Sequence, residues 1–134
     1  MNKKIKNNDV YYQIAWSKIY KYDKYDVIKI VPELAGIICL GTKLQSNFNY
    51  SIFYACWRDG CRVSIKKLVD PRITLTPEIT SQFDTENLYY KYTIIDTNPK
   101  DIKDIMYWLI KTYTPTMNNA ESFTDSKRYE NIYV

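Results

Sequence analysis

The stretch from Asn98 to Pro115 constrains this chain more than any other. Asn98-Pro99 joins an N-cap residue to a proline at the first helical position. Ile102, Ile105, Met106, Leu109, Ile110 and Tyr113 then recur at helical spacing, and Pro115 forbids continuation. The spacing predicts an amphipathic helix over 99–113 whose apolar stripe must be covered by something. A chain of 134 residues has room for one domain to supply that cover. The apolar runs upstream read as strands. Ala35-Gly36-Ile37-Ile38-Cys39-Leu40 is unbroken, β-branched and bounded by glycines, as a buried strand should be. Residues 50–57 form a second strand pattern after turn chemistry at Ser46-Asn47-Phe48-Asn49, giving an expected hairpin, and 88–95 form a third.

The remaining segments carry weaker signals. Val10, Ile14 and Ile19, with Tyr11, Ala15 and Tyr22, fit overlapping helical stripes, so a helix is expected over 10–22 with Asp9 as its N-cap. Val27-Ile28-Lys29-Ile30-Val31 reads as a short strand or extended lead-in ended by Pro32. Residues 61–69 suggest a short helix and 70–87 a long loop. The expected fold is α+β, a small, mainly antiparallel three-stranded sheet flanked by the 10–22, 61–69 and 99–113 helices. The expected organisation is an N-terminal extension with one helix (1–26), the α+β domain (27–119) and a polar C-terminal tail (120–134).

Composition removes several functions. Histidine is absent, and with it the commonest general base, the commonest zinc ligand and the usual catalytic triads. Cys39, Cys56 and Cys61 leave a fourth zinc ligand unnamed, so they read as reduced thiols that pack like small hydrophobes. No run reaches the length of a membrane span and no apolar segment follows the basic start, so a cytoplasmic protein without membrane contact is expected. The net charge of +4 permits contact with nucleic acid without requiring it. Tyrosine is abundant at 14 residues, but its A/T-rich codons account for part of that number.

The order strand, strand, helix, loop, strand, amphipathic helix, together with Leu109-Ile110-Lys111-Thr112-Tyr113-Thr114-Pro115-Thr116-Met117-Asn118, resembles the GIY-YIG nuclease domain over roughly Ile30 to Asn118. Val31-Pro32-Glu33-Leu34-Ala35-Gly36-Ile37-Ile38 is similar to that family's opening strand, and Ile52-Phe53-Tyr54-Ala55-Cys56 falls where its second signature strand belongs. The resemblance implies a GIY-YIG-like fold in which Tyr54, Arg62 and Asn118 stand at catalytic positions. It also implies phosphodiester cleavage with one divalent cation, Mg²⁺ or Mn²⁺. The chain departs from the pattern at Ile38 and Cys56, and most of all at Met106, which replaces the metal-binding glutamate. A thioether cannot serve a hard cation. Asp104 and Asp101 lie two and five residues before Met106, on other sides of the helix, so neither replaces that glutamate.

This predicts a vestigial catalytic centre with no metal or other cofactor. Arg58, Arg62, Lys66 and Lys67, interleaved with Trp57, form the best candidate nucleic-acid patch, because they combine phosphate neutralisation with a stacking ring. The preferred expectation is therefore a catalytically degenerate GIY-YIG-like module that binds DNA or RNA. A second reading is an active metal-dependent endonuclease that recruits Asp70, Glu78, Asp84 or Glu86 from the 70–87 loop. A third is a protein–protein interaction module, of the kind found among viral, phage and accessory proteins, working through tyrosines 11, 12, 20, 22 and 25.

Overall fold

A computed structural model describes residues 1–43, 50–69, 87–115, 118 and 123–134. The chain is α+β, as its patterning implies. Its main sheet is built on β4 (Gly36–Lys43), which pairs antiparallel with β5 (Tyr50–Arg58) on one side and β6 (Leu88–Ile94) on the other. Ile37, Ile38 and Leu40 are fully buried, so β4 is enclosed on both faces, which accounts for its unbroken apolar run. A two-residue strand, β3 (Tyr20–Lys21), extends the expected three strands to four by joining β6, giving the order β3-β6-β4-β5.

Alternation along the strands creates two cores. Ile38, Leu40, Tyr54, Cys56 and Tyr90 point to one face, under α1 (Asp26–Ile30) and α2 (Cys61–Val69). Ile37, Cys39 and Ala55 point to the other, under α3 (Pro99–Tyr113). The pairing of β4 with β5 shifts register between Leu40 and Gly41, and Ile52 consequently packs on the same face as Ala55 and Trp57. At the start of β4, a β-carbon on Gly36 would collide with the Thr93 carbonyl and come within 2.9 Å of Cys61 Sγ, so only glycine lets β4 and β6 close there.

The N-terminal helix expected over 10–22 does not form. Residues 2–6 and 9–13 are instead the antiparallel pair β1 (Asn2–Lys6) and β2 (Asp9–Gln13). The cause is local: Asn7 and Asn8 adopt φ of 51° and 69°, making a two-residue hairpin turn that asparagine tolerates well. Val10 and Tyr12 are buried while Tyr11 and Gln13 are exposed, a period of two that the overlapping helical stripes obscured. Nor is the C-terminal segment a mere polar tail. β7 (Asn131–Tyr133) returns to pair parallel with β2 and completes a second sheet, β1-β2-β7. Val10, Tyr12, Ile132 and Val134 join the core beneath α3, so segments on both sides of 27–119 pack against it.

Residues 27–30, expected to be extended, belong to α1. Asp23 Oδ1 accepts from the Tyr25 and Asp26 N–H groups at 2.8 and 3.1 Å, and Val27 and Val31 are buried one turn apart. The 99–113 helix forms as expected. Asn98 caps it, Pro99 opens it, and Thr114 closes it in the left-handed conformation before Pro115. The turn at 46–49 and the loop at 70–86 lie outside the described residues.

Among the described residues one core group is unsatisfied: the hydroxyl of fully buried Tyr90 has no hydrogen-bond partner. An unpaired buried hydroxyl costs on the order of 1–3 kcal/mol. Tyr90→Phe is therefore expected to raise the unfolding free energy by about 1 kcal/mol, read as a higher urea midpoint at unchanged slope. A fall of similar size would mean that the hydroxyl is satisfied.

Candidate functional site

The junction of β5 and α2 gathers most of the candidate residues on one side of the sheet. Tyr54 and Arg58 share a face of β5, where Arg58 Nη2 donates to the buried Tyr54 hydroxyl at 3.1 Å and Nη1 to the Trp57 carbonyl at 2.9 Å. Arg62 opens the first turn of α2 and donates through Nε to the Val31 carbonyl at 2.7 Å, which anchors it to the end of α1. Lys66 lies one turn farther along the same helix face, half-buried, and Lys67 is exposed beside it. The N-terminus of α2 already holds a carboxylate: Glu33 Oε2 accepts from the Val63 N–H at 3.1 Å. Arg58, Arg62, Lys66 and Lys67 form a row of cationic side chains here, two of them held in place by backbone carbonyls.

Trp57 does not join this row. Its indole lies across the sheet, donating from Nε1 to the Ile95 carbonyl at 3.2 Å and packing on the core under α3. Asn118 is structural as well. It is 3% exposed, its Oδ1 accepts from the Ala55 N–H at 2.9 Å, and its Nδ2 donates to the Ala55 carbonyl at 2.7 Å. The side-chain amide thus satisfies a peptide group on the β5 edge as a neighbouring strand would.

Met106 is fully buried beneath the opposite face from Tyr54, so the positions matched to the nuclease family do not converge. The residues present at the matched position do not fit a divalent cation, since a core thioether offers no hard donor and Asp101 and Asp104 are committed elsewhere. Asp70, Glu78, Asp84 and Glu86 lie outside the described residues. Cys39 faces the core under α3, whereas Cys56 and Cys61 face the other, so the three thiols share no site. Burial pushes the Cys39 thiol up to about 12 against the pull of Lys91, and burial with the Glu33 charge pushes Cys61 up to about 11. Both are protonated at neutral pH, the unreactive form.

Two buried carboxylates lie on α3, where no site residue is expected from the sequence. Asp101 and Asp104 are 3% and 1% exposed. Asp101 Oδ1 accepts from Lys3 Nζ at 2.8 Å, the Tyr12 hydroxyl at 2.9 Å and Arg128 Nη2 at 3.2 Å, while Oδ2 accepts from Asn98 Nδ2 at 3.0 Å. Asp104 accepts from the Ser126 hydroxyl at 2.6 Å and from Arg128 Nη1 at 3.1 Å. Arg128 therefore bridges both carboxylates. Burial alone would raise Asp101, but the hydrogen bonds from Lys3 and Tyr12, the Lys3 charge and Arg128 hold it below its ordinary value of 3.8. Burial likewise opposes the charge on Lys3, yet Asp101 and Tyr129 hold its ammonium above the usual lysine value. Two acids and two bases balance here, which marks the cluster as a structural clasp.

The five N-terminal tyrosines do not form one surface. Tyr12 enters the clasp, Tyr20 and Tyr22 pack on the core under α1 and α2, Tyr25 is exposed beside α1, and Tyr11 faces outward from β2. Tyr11 instead stacks on Tyr133, with ring centroids 4.8 Å apart and planes within 11°. Only the pairing of β2 with β7 brings these rings together, and the one sequence signal for it was the alternation of residues 9–13.

A family model described only as "Uncharacterised protein" matches residues 1–134. No curated protein and no solved structure matches the chain.

The clasp carries a stability prediction. Asp101→Asn leaves Lys3 and Arg128 without their shared charge; since both are about a quarter exposed, the expected cost is about 3 kcal/mol, at the low end for a broken buried pair. The contribution of a carboxyl lowered by folding is complete above its unfolded value and disappears as pH falls through its folded value. Urea titrations should therefore show the gap between wild type and Asp101→Asn to be constant near neutrality and shrinking below about pH 4. A gap independent of pH would contradict the assignment.

Proposed function

We propose that this chain, which belongs to the family matched over residues 1–134, is a nucleic-acid-binding module that does not cleave its ligand and whose duplex contact is the cationic row on α2. The observation that carries this reading is the placement of Arg62. Its Nε is fixed on the Val31 carbonyl at 2.7 Å, leaving the terminal guanidinium nitrogens for a phosphate, with Lys66 one turn beyond. A guanidinium held in place before binding loses less side-chain entropy when it meets a phosphate. Arg58 at the end of β5 and Lys67 on α2 extend the row. The described elements from β4 to α3 run strand, strand, helix, strand, helix, an order that supports the GIY-YIG-like reading. Non-cleavage is supported by Met106 in the core and by carboxylates on α3 that are already paired with Lys3 and Arg128.

Phosphate contacts of this kind are electrostatic and fall steeply with salt, with a log–log slope of roughly −0.9 per phosphate neutralised on duplex DNA. The test is retardation of supercoiled plasmid at low salt in EDTA, Mg²⁺ or Mn²⁺, followed by duplex titrations across ionic strength. Retardation without nicking in all three conditions is expected. Arg62→Ala with Lys66→Ala should weaken duplex binding and reduce the salt slope by about 2. Metal-dependent nicking that copurifies with the protein, or duplex affinity indifferent to both substitutions, would overturn the reading.

A further inference from the structure

The outer face of the β1-β2-β7 sheet is a small, ordered grid whose Tyr11 and Tyr133 are exposed. Register places Lys4 opposite Tyr11 and Tyr11 opposite Tyr133, making one row across all three strands. Lys6, Asp9 and Asn131 form a second row, and Asn2 faces Gln13 at the far end. Tyr11 and Tyr133 are 41% and 46% exposed, although each covers one face of the other. β7 is an edge strand, so the face of Tyr133 turned away from Tyr11 lies at the open margin of the sheet. An open depression of about 670 Å³ lies at this end, between Lys4, Tyr11, Gln13 and Tyr133 on one side and Tyr12 and Val134 on the other.

We propose that this face binds single-stranded nucleic acid, with an unpaired base extending the Tyr11–Tyr133 stack and adjacent phosphates reaching Lys4 and Lys6. The chemistry of the face selects that ligand. Among the outward-facing side chains of β1, β2 and β7 the one carboxylate, Asp9, already accepts from Asn131 Nδ2 at 3.1 Å and stands against two lysines, Lys4 and Lys6. The Asn2 and Gln13 amides meet only at 3.4 Å and remain available to base edges. Lys4 stands two strand spacings from Tyr133, about 10 Å, which the backbone of a single strand can bridge while one base stacks. A duplex keeps its bases within its own stack and offers this margin none. The proposal goes beyond the α2 row and does not depend on it, because the two surfaces lie on opposite sides of the main sheet.

The probe is a short fluorescently labelled oligothymidylate, titrated with the full chain at low salt and read by anisotropy. Tyr133→Ala and Tyr11→Ala should each weaken binding about tenfold, the loss expected of one stacked base. Tyr133→Leu keeps an apolar contact with Tyr11 but offers no aromatic face, and should lose as much. Tyr133→Phe should bind as wild type does. Lys4→Ala should reduce the salt slope by about 0.7. Far-ultraviolet circular dichroism shows whether each variant keeps its fold. Arg62→Ala with Lys66→Ala should leave the tyrosine effect in place, and the tyrosine variants should leave duplex affinity unchanged, so either surface can fail without the other. Undetectable oligothymidylate binding, unchanged affinity in folded Tyr133→Leu, or equally tight binding of free thymidine monophosphate would each overturn the proposal.

Discussion

Arg128 donates to Asp101 and Asp104 at once, and Lys3 meets Asp101 from the other end of the chain. A carboxylate taken out of water is costly unless charge and hydrogen bonds replace its hydration. Two of them on one helix could not be buried without these partners. Lys3 and Tyr12 stand 98 and 89 residues before Asp101, and Arg128 follows it by 27. Burying α3 against the sheet therefore requires both ends of the chain to return to the same place. The parallel pairing of β2 with β7 and the stacked Tyr11–Tyr133 pair follow from that requirement.

The main sheet imposes the second constraint. Alternation on β5 turns Tyr54 and Arg58 toward α2, and Ala55 and Trp57 toward α3, so neighbours in sequence belong to opposite surfaces. The basic row is consequently built without its tryptophan, and the stacked Tyr11–Tyr133 pair lies on the second sheet. Asn118 serves neither surface, because it is committed to the β5 edge through both Ala55 hydrogen bonds.

Strong local signals were legible. Asn98-Pro99, the 102–113 stripe and Pro115 specify α3 together with both of its ends, and the apolar run before Cys39 specifies a strand buried on two faces. Two misses were also local. Asn7-Asn8 is a two-residue hairpin signal, and the Asp23 carboxylate accepts from the first N–H groups of a helix too short for its period to register. The larger misses have a different origin. Lys3, Arg128 and the three residues of β7 show no feature of their own that names a partner, because the energy that places them resides in charges on a distant helix. The candidate site divides the same way. Arg58, Arg62, Lys66 and Lys67 were visible as a charge cluster, whereas Tyr11 and Tyr133 become a pair only through tertiary pairing.

Arg128 locks the C-terminal strand to the N-terminal hairpin, and amide hydrogen exchange on wild type and Arg128→Ala tests that lock most directly. The Glu130 N–H, which donates to the Asn8 carbonyl at 2.8 Å, reports the lock beside β7. In the variant this amide and those of 131–133 should lose protection, while β4 and β6 keep theirs. Unchanged protection at Glu130 in Arg128→Ala would mean that β7 is held without the clasp, contrary to a lock made by Arg128.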